Sequence, residues 1–250
     1  MDDRTVTGRV VAVLDVVAAS EGTVSLAELT RVTGIPKATV RRIAEDLCAR
    51  RMLRRGAGGG YLLGPHMINL GMRATTQLGL RDAAIPYVQE LFARTGEIAW
   101  VGACSGMTFT MMDTAYGANR AAAVSRYGWP MDTSHSALVA TAAGRLVLAE
   151  EPALTDRVRA RPLSALTQHT VTSWPKLTAM FDAIRDSGMA TEHEQSRLGF
   201  SCAAVGLRDR AGNLVGVLGV TGHTATLAVQ RLTRPLRTAA EDITRTLTTS

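Results

Sequence analysis

The sequence predicts an α+β protein in three parts: a winged helix-turn-helix over residues 1–64, a linker helix over 65–80 and an α+β domain over 81–250. Three observations carry that prediction. Residues 24–55 read as two short helices joined by a tight turn, the second strongly basic. Two short apolar runs then flank Gly56-Ala57-Gly58-Gly59-Gly60, the pattern of a hairpin. From Arg81 onward, helix-like and strand-like segments alternate, which suits helices around an antiparallel sheet.

Val6–Ala19 is an apolar-rich helix expected to pack behind the next two. Ser25 and Glu28 have the spacing of a capping box, with Val24 and Leu29 placed as a hydrophobic staple. Leu26, Leu29 and Val32 fall on one helical face. Gly34 supplies a left-handed end, and Pro36 is expected in the first turn of the following helix. There Pro36, Val40, Ile43 and Leu47 share a buried stripe, so Lys37, Ala38, Arg41, Arg42 and Glu45 must face outward. Between Arg31 and Arg55 stand eight basic residues against Glu45 and Asp46. A solvated face is the bland alternative; the concentration of charge argues instead for a helix that enters the DNA major groove. Lys37, Ala38, Arg41 and Arg42 would meet base edges or phosphates, and Thr39 a phosphate from the flank. The hairpin would be the wing, with Arg54 and Arg55 set for sequence-independent contacts. Its glycine-rich tip lacks the Lys-Ser/Thr of a phosphate-cradling loop.

His66–Leu80 reads as a connecting helix with Met67, Leu70, Ala74 and Leu78 at helical spacing. Gly71 and Gly79 weaken it, so a second subunit is the natural support. Beyond it come a helix at Arg81–Thr95 and strands at Ile98–Cys104 and Met107–Asp113 joined by Ser105-Gly106. A strand at Ala121–Arg126 and helices at Ser136–Ala149 and Pro175–Ser187 follow. A second hairpin, Cys202–Arg208 with Leu214–Thr221, precedes a closing helix at Gln230–Leu247.

With 46% hydrophobic and 20% charged residues, the chain has the composition of a soluble globular protein. The start shows no secretion signal, and no window reaches the roughly 18 apolar residues of a membrane span. A cytoplasmic protein without a membrane partner is therefore expected. Cys48, Cys104 and Cys202 are too scattered for a disulfide framework or zinc knuckle. The net charge of +6 suits a polyanion partner. Ser134-His135-Ser136 near Asp132 offers triad residue types without triad geometry, and Glu192, His193 and Glu194 alternate in a strand and point apart. Neither catalysis, a metal nor another cofactor is expected.

The ordered pieces LAELTRVTGIPKATVRRIAEDL, GYLLGPHMINLG, VSRYGWPM, LVATAAGRLVLA, LTQHTVTSWPKL and RDSGMATEHEQSRLGFSCAAVGLRDRAGNLVGVLGVTG resemble the IclR-type bacterial transcriptional regulators over nearly the whole chain. The resemblance implies a winged-helix DNA reader joined to a GAF-like α+β effector-binding domain. It also implies a dimer or tetramer on a palindromic operator, usually as a repressor. By the same resemblance the effector, a small organic acid, aromatic or other metabolite, would meet Ala142, Ala143, Gly144, Glu192, Cys202, Gly219 and Thr221. This chain departs from the pattern at Gly219, where many members carry serine, at Val139, where they often carry histidine, and at Arg145, where they often carry lysine. Losing a hydroxyl and an imidazole points to an effector larger or less polar than a small carboxylate. Cys202 reads as a core residue, and Arg145 and Arg126 either pair with an anion or sit on the surface. Two other functions stay open: an architectural DNA-binding protein with a vestigial sensor, and a small-molecule enzyme anchored to DNA.

Overall fold

A computed structural model describes residues 5–20, 22–105, 108–121, 124 and 134–249. The chain divides into two compact units, Met1–Gln77 and Leu78–Ser250.

In the first unit α1 spans Val6–Ala18, α2 Leu26–Thr33 and α3 Lys37–Ala49. A short hairpin follows, β1 at Leu53–Arg55 and β2 at Tyr61–Leu63, and Val24 bridges Tyr61 from its other side. The core is apolar: Val13, Val17, Leu29, Val40, Ile43, Leu47, Leu53 and Tyr61 pack together. The caps follow the sequence in part. Ser25 Oγ accepts the Glu28 amide at 3.1 Å and Gly34 ends α2 at φ 67°. The Glu28 carboxylate does not reach back, however; it takes the Arg31 guanidinium one turn on, so only half of the capping box forms. Pro36 is the residue before α3, with ψ 136°, and it is exposed. Val32 is also exposed, at 49%, because α2 ends within one residue of it and Ile35 takes the core position instead.

The helix α4, Pro65–Leu78, ends where Gly79 turns left-handed at φ 63°. It leaves Ile68, Leu70 and Met72 exposed.

In the second unit α5 is Leu80–Thr95, β3 Ile98–Ser105 and β4 Thr108–Ala115. Next come α6 at His135–Ala140, α7 at Ala142–Glu150, α8 at Pro152–Arg159 and α9 at Trp174–Ser187. The strands β5 at Met189–His193, β6 at Phe200–Arg208 and β7 at Leu214–His223 precede α10 at Val229–Thr249. All five strands pair antiparallel in the order β4-β3-β7-β6-β5. Alternate strand residues supply two cores. Ala99, Val101, Ala203, Val205, Leu218 and Val220 face α5 and α10. Ile98, Trp100, Cys202, Ala204 and Val217 face α6 to α9. The fold class is the α+β one that the sequence predicts.

Two expected elements differ. The single helix Ser136–Ala149 is two, because Thr141 is extended at ψ 149° and its hydroxyl caps the Gly144 amide at 3.1 Å. The corner is tight enough to require glycine: a Cβ at Gly144 would lie 2.3 Å from the Leu138 carbonyl oxygen. Of the strand expected at Ala121–Arg126, Ala121 and Val124 are helical and the remainder lies outside the described residues, as do Gly106, Met107, Arg126 and Asp132.

Candidate nucleic-acid interface and effector site

On α3 the apolar stripe Val40, Ile43 and Leu47 turns to the core, which leaves Lys37, Ala38, Arg41 and Arg42 exposed and Thr39 half-buried. Charge pairing divides the basic residues into two groups. Arg31 bonds to Glu28 and Arg50 to Asp46, both across one helical turn. Among the described residues no carboxylate pairs with Lys37, Arg41, Arg42 or Arg54. Uncompensated cations thus stand on the N-terminal half of α3 and on the wing, with the exposed Arg51 between α3 and β1, where a polyanion would be drawn.

The wing turn, with four glycines in five residues, closes on itself. Gly58 and Gly59 take φ 75° and 79°, and the Gly56 amide donates to the Gly60 carbonyl at 2.8 Å. Arg54 points out from β1, whereas Arg55 folds back. Its guanidinium stands 4.3 Å from the Tyr61 ring centroid and donates to the Gly59 carbonyl at 3.0 Å. The two wing arginines are therefore not equivalent.

In the second unit the family-matched positions come together on the sheet face beneath α7. Strand register aligns Glu192, Cys202, Thr221 and Ile98 in one row, and Ala190, Ala204, Gly219 and Trp100 in the next. Above them the N-terminal turn of α7 brings Ala142, Ala143 and Gly144, all buried. Thr221 Oγ1 donates to Cys202 Sγ at 3.3 Å and accepts from Trp100 Nε1 at 2.9 Å. Burial pushes the Cys202 thiol up to about 12, so it is a neutral core group.

Glu192 is buried, and desolvation raises its pKa above the ordinary carboxylate value. The amides of Gln195 and Ser196, at 2.9 and 3.4 Å, and the Ser196 hydroxyl, at 2.9 Å, hold its two oxygens. Arg145, for which a surface position stood open, is fully buried. Its Nε donates to the Val139 carbonyl at 2.7 Å, and its two terminal nitrogens donate to the Thr191 carbonyl and the Gln195 side chain. Burial lowers its pKa to about 10, the Glu192 carboxylate opposing the fall, so it stays charged at neutral pH. The one charge in LVATAAGRLVLA is thus a structural tie from α7 to α6, β5 and the loop after β5. Sequence reasoning left its role open because its partners lie 46 and 50 residues away.

The remaining candidates are accounted for by local structure. Ser134 caps α6 and Ser136 accepts the Ser164 amide at 2.9 Å. His193 meets Ser201 at 2.9 Å, but that serine is buried and its other neighbour is the Thr224 hydroxyl. Among the described residues no group of three or more His, Cys, Asp or Glu could hold a metal. Nor is any helix of those residues long and apolar enough to cross a membrane.

The model of the IclR helix-turn-helix domain matches residues 6–57, and that of the bacterial transcriptional regulator IclR C-terminal domain matches residues 72–245. The HTH-type transcriptional regulator Rv1719 of Mycobacterium tuberculosis is 30% identical over 85% of this chain and 80% of its own. The glycerol operon regulatory protein of Streptomyces griseus is 27% identical over 86% and 83%. Among solved structures, an IclR homolog from Microbacterium hydrocarbonoxydans complexed with 4-hydroxybenzoate superposes with TM-score 0.80, at 22% identity, over 98% of this chain and all of the other.

Proposed function

Because the chain belongs to the IclR family of bacterial transcriptional regulators, we propose that it acts in the cytoplasm as a dimer or tetramer on a palindromic operator, most simply as a repressor. In this reading residues 1–64 bind DNA, residues 65–80 couple the subunits and residues 81–250 bind a small metabolite. Two copies of α3 enter successive major grooves. Arg41 and Arg42 read guanine or clamp phosphate, Lys37, Ala38 and Thr39 complete the contact, and Arg54 tracks the backbone. The exposed Ile68, Leu70 and Met72 of α4 are what a second subunit would cover. The effector, a metabolite of the organic-acid or aromatic kind, would sit between Ala142, Ala143 and Gly144 above and Glu192, Cys202, Gly219 and Thr221 below. It would act by preferring one arrangement of the subunits.

The observation that carries this reading is the separation of charge on the first unit. Arg31 and Arg50 are neutralised by carboxylates one helical turn away, whereas Lys37, Arg41, Arg42 and Arg54 are left free for a polyanion. Titrating the purified protein with its own upstream intergenic DNA, against scrambled competitor at several salt concentrations, tests it. Specific binding that weakens steeply with salt is expected. Affinity equal to that for scrambled DNA, with and without metabolite extract, would overturn the sequence-reading role and favour the architectural one.

A further inference from the structure

The site beneath α7 contains one large residue that the family pattern does not assign. Trp100, on β3, is almost fully buried and faces the same side of the sheet as Gly219, its direct partner on β7. Its six-membered ring lies against Gly219 so closely that a Cβ there would be 2.3 Å from Trp100 Cζ2. Phe109 meets the indole edge-on, with centroids 5.9 Å apart, and itself covers Gly102, where a Cβ would be 2.1 Å from the ring. Two glycines thus make room for two aromatic rings on the floor of the site. The first does so at the position where a hydroxyl is usual in the family.

We propose that Trp100 is the specificity-determining residue of the effector site assigned above, on which this inference rests. Its indole takes the volume of a side chain at 219 and turns the site toward ligands with a flat apolar body, away from two- and three-carbon oxo-acids. Trp100 Nε1 donates to Thr221 Oγ1, and the Thr221 proton goes to Cys202 Sγ. The one hydroxyl left in the row is committed to the floor and offers a ligand no donor. Glu192 is acidic, and its oxygens are held by the loop at Gln195 and Ser196. A compact oxo-acid needs donors on nearly every side to replace the water it gives up, and the side chains of this floor supply only the weak Cys202 thiol. A flat apolar body loses little there, because rings and small residues cover the floor from Ala190 to Trp100.

The test uses the full-length protein, with benzoate and glyoxylate as probes and calorimetric titration as the readout. Wild type should bind benzoate more tightly than glyoxylate by about tenfold or more. Trp100→Leu combined with Gly219→Ser, which opens the space and restores the hydroxyl, should reverse that preference. Gly219→Ser alone should lower the melting temperature, and Trp100→Leu should recover part of the loss. Trp100→Phe, which keeps a ring over Gly219, guards against a variant that fails to fold and should keep the wild-type preference. Tighter binding of glyoxylate by wild type, no benzoate binding, or an unchanged preference in the double variant would overturn the proposal. Operator titration of the wild-type protein separates that failure from failure of the regulator reading, because only the latter removes specific DNA binding.

Discussion

The two units handle charge in opposite ways. In the first, the core is wholly apolar and the cations stand outside it, unpaired where α3 begins. In the second, the residues gathered under α7 include a buried arginine and a buried glutamate, each held by several hydrogen bonds. An exposed cation costs the fold almost nothing and is free to meet a polyanion. A buried one must be satisfied completely, and so becomes part of what holds the site in shape. The same residue type therefore reports binding in one unit and architecture in the other.

Arg145→Ala should expose this contrast most strongly. The change strips donors from the carbonyls of Val139 and Thr191, frees the Gln195 side chain and leaves Glu192 buried without its countercharge. Leaving such buried polar partners unsatisfied costs about 1–3 kcal/mol each. Arg145→Met, which keeps most of the volume, should lose nearly as much, because the loss lies in the polar tie and not in a cavity. Urea unfolding followed by a probe in the second unit measures both. A loss below about 1 kcal/mol, the range of a surface pair, would place Arg145 with the exposed arginines after all.

Arg41→Ala and Arg42→Ala form the opposite pole. Neither side chain has a partner among the described residues, so melting should not move. Operator affinity should fall by about 1–3 kcal/mol for whichever arginine reads a base, with discrimination relaxed at that position. Competition binding against operator variants measures this. Unchanged affinity for both variants would remove α3 as the reading element.

Legibility in the sequence follows the same divide. The exposed face of α3, the Ser25 and Gly34 caps and both hairpins of the larger sheet are local patterns, and periodicity finds them. Errors arise where an element is too short for periodicity to bind it. Val32 lies in the last turn of a two-turn helix, Pro36 precedes α3 instead of opening it, and Thr141 breaks a run whose composition is helical throughout. The sheet face proposed to meet the effector is legible only as a resemblance. Its rows form by register between strands distant in the chain: Trp100 reaches Thr221 across 121 residues, and Arg145 reaches Gln195 across 50. No local spacing encodes either contact. An arginine inside an apolar helix looks the same in sequence whether it tilts out to water or ties down a loop.

The wing offers the finest comparison, between neighbours. Arg54 and Arg55 are adjacent and both exposed, so the sequence treats them alike. The structure does not, because Arg55 is spent on Tyr61 and the Gly59 carbonyl. Arg54→Ala should leave melting unchanged, weaken operator and scrambled DNA alike, and reduce the salt slope by about one. Arg55→Ala should loosen the turn instead, costing about 0.5–1 kcal/mol of stability for a solvent-exposed cation over the Tyr61 ring, with a smaller change in salt slope. Measuring melting and salt slope on both variants separates the roles. If Arg55→Ala changes the slope as much as Arg54→Ala and leaves melting untouched, the folded-back arginine swings out on binding DNA. The wing would then carry two phosphate contacts where the free protein shows one.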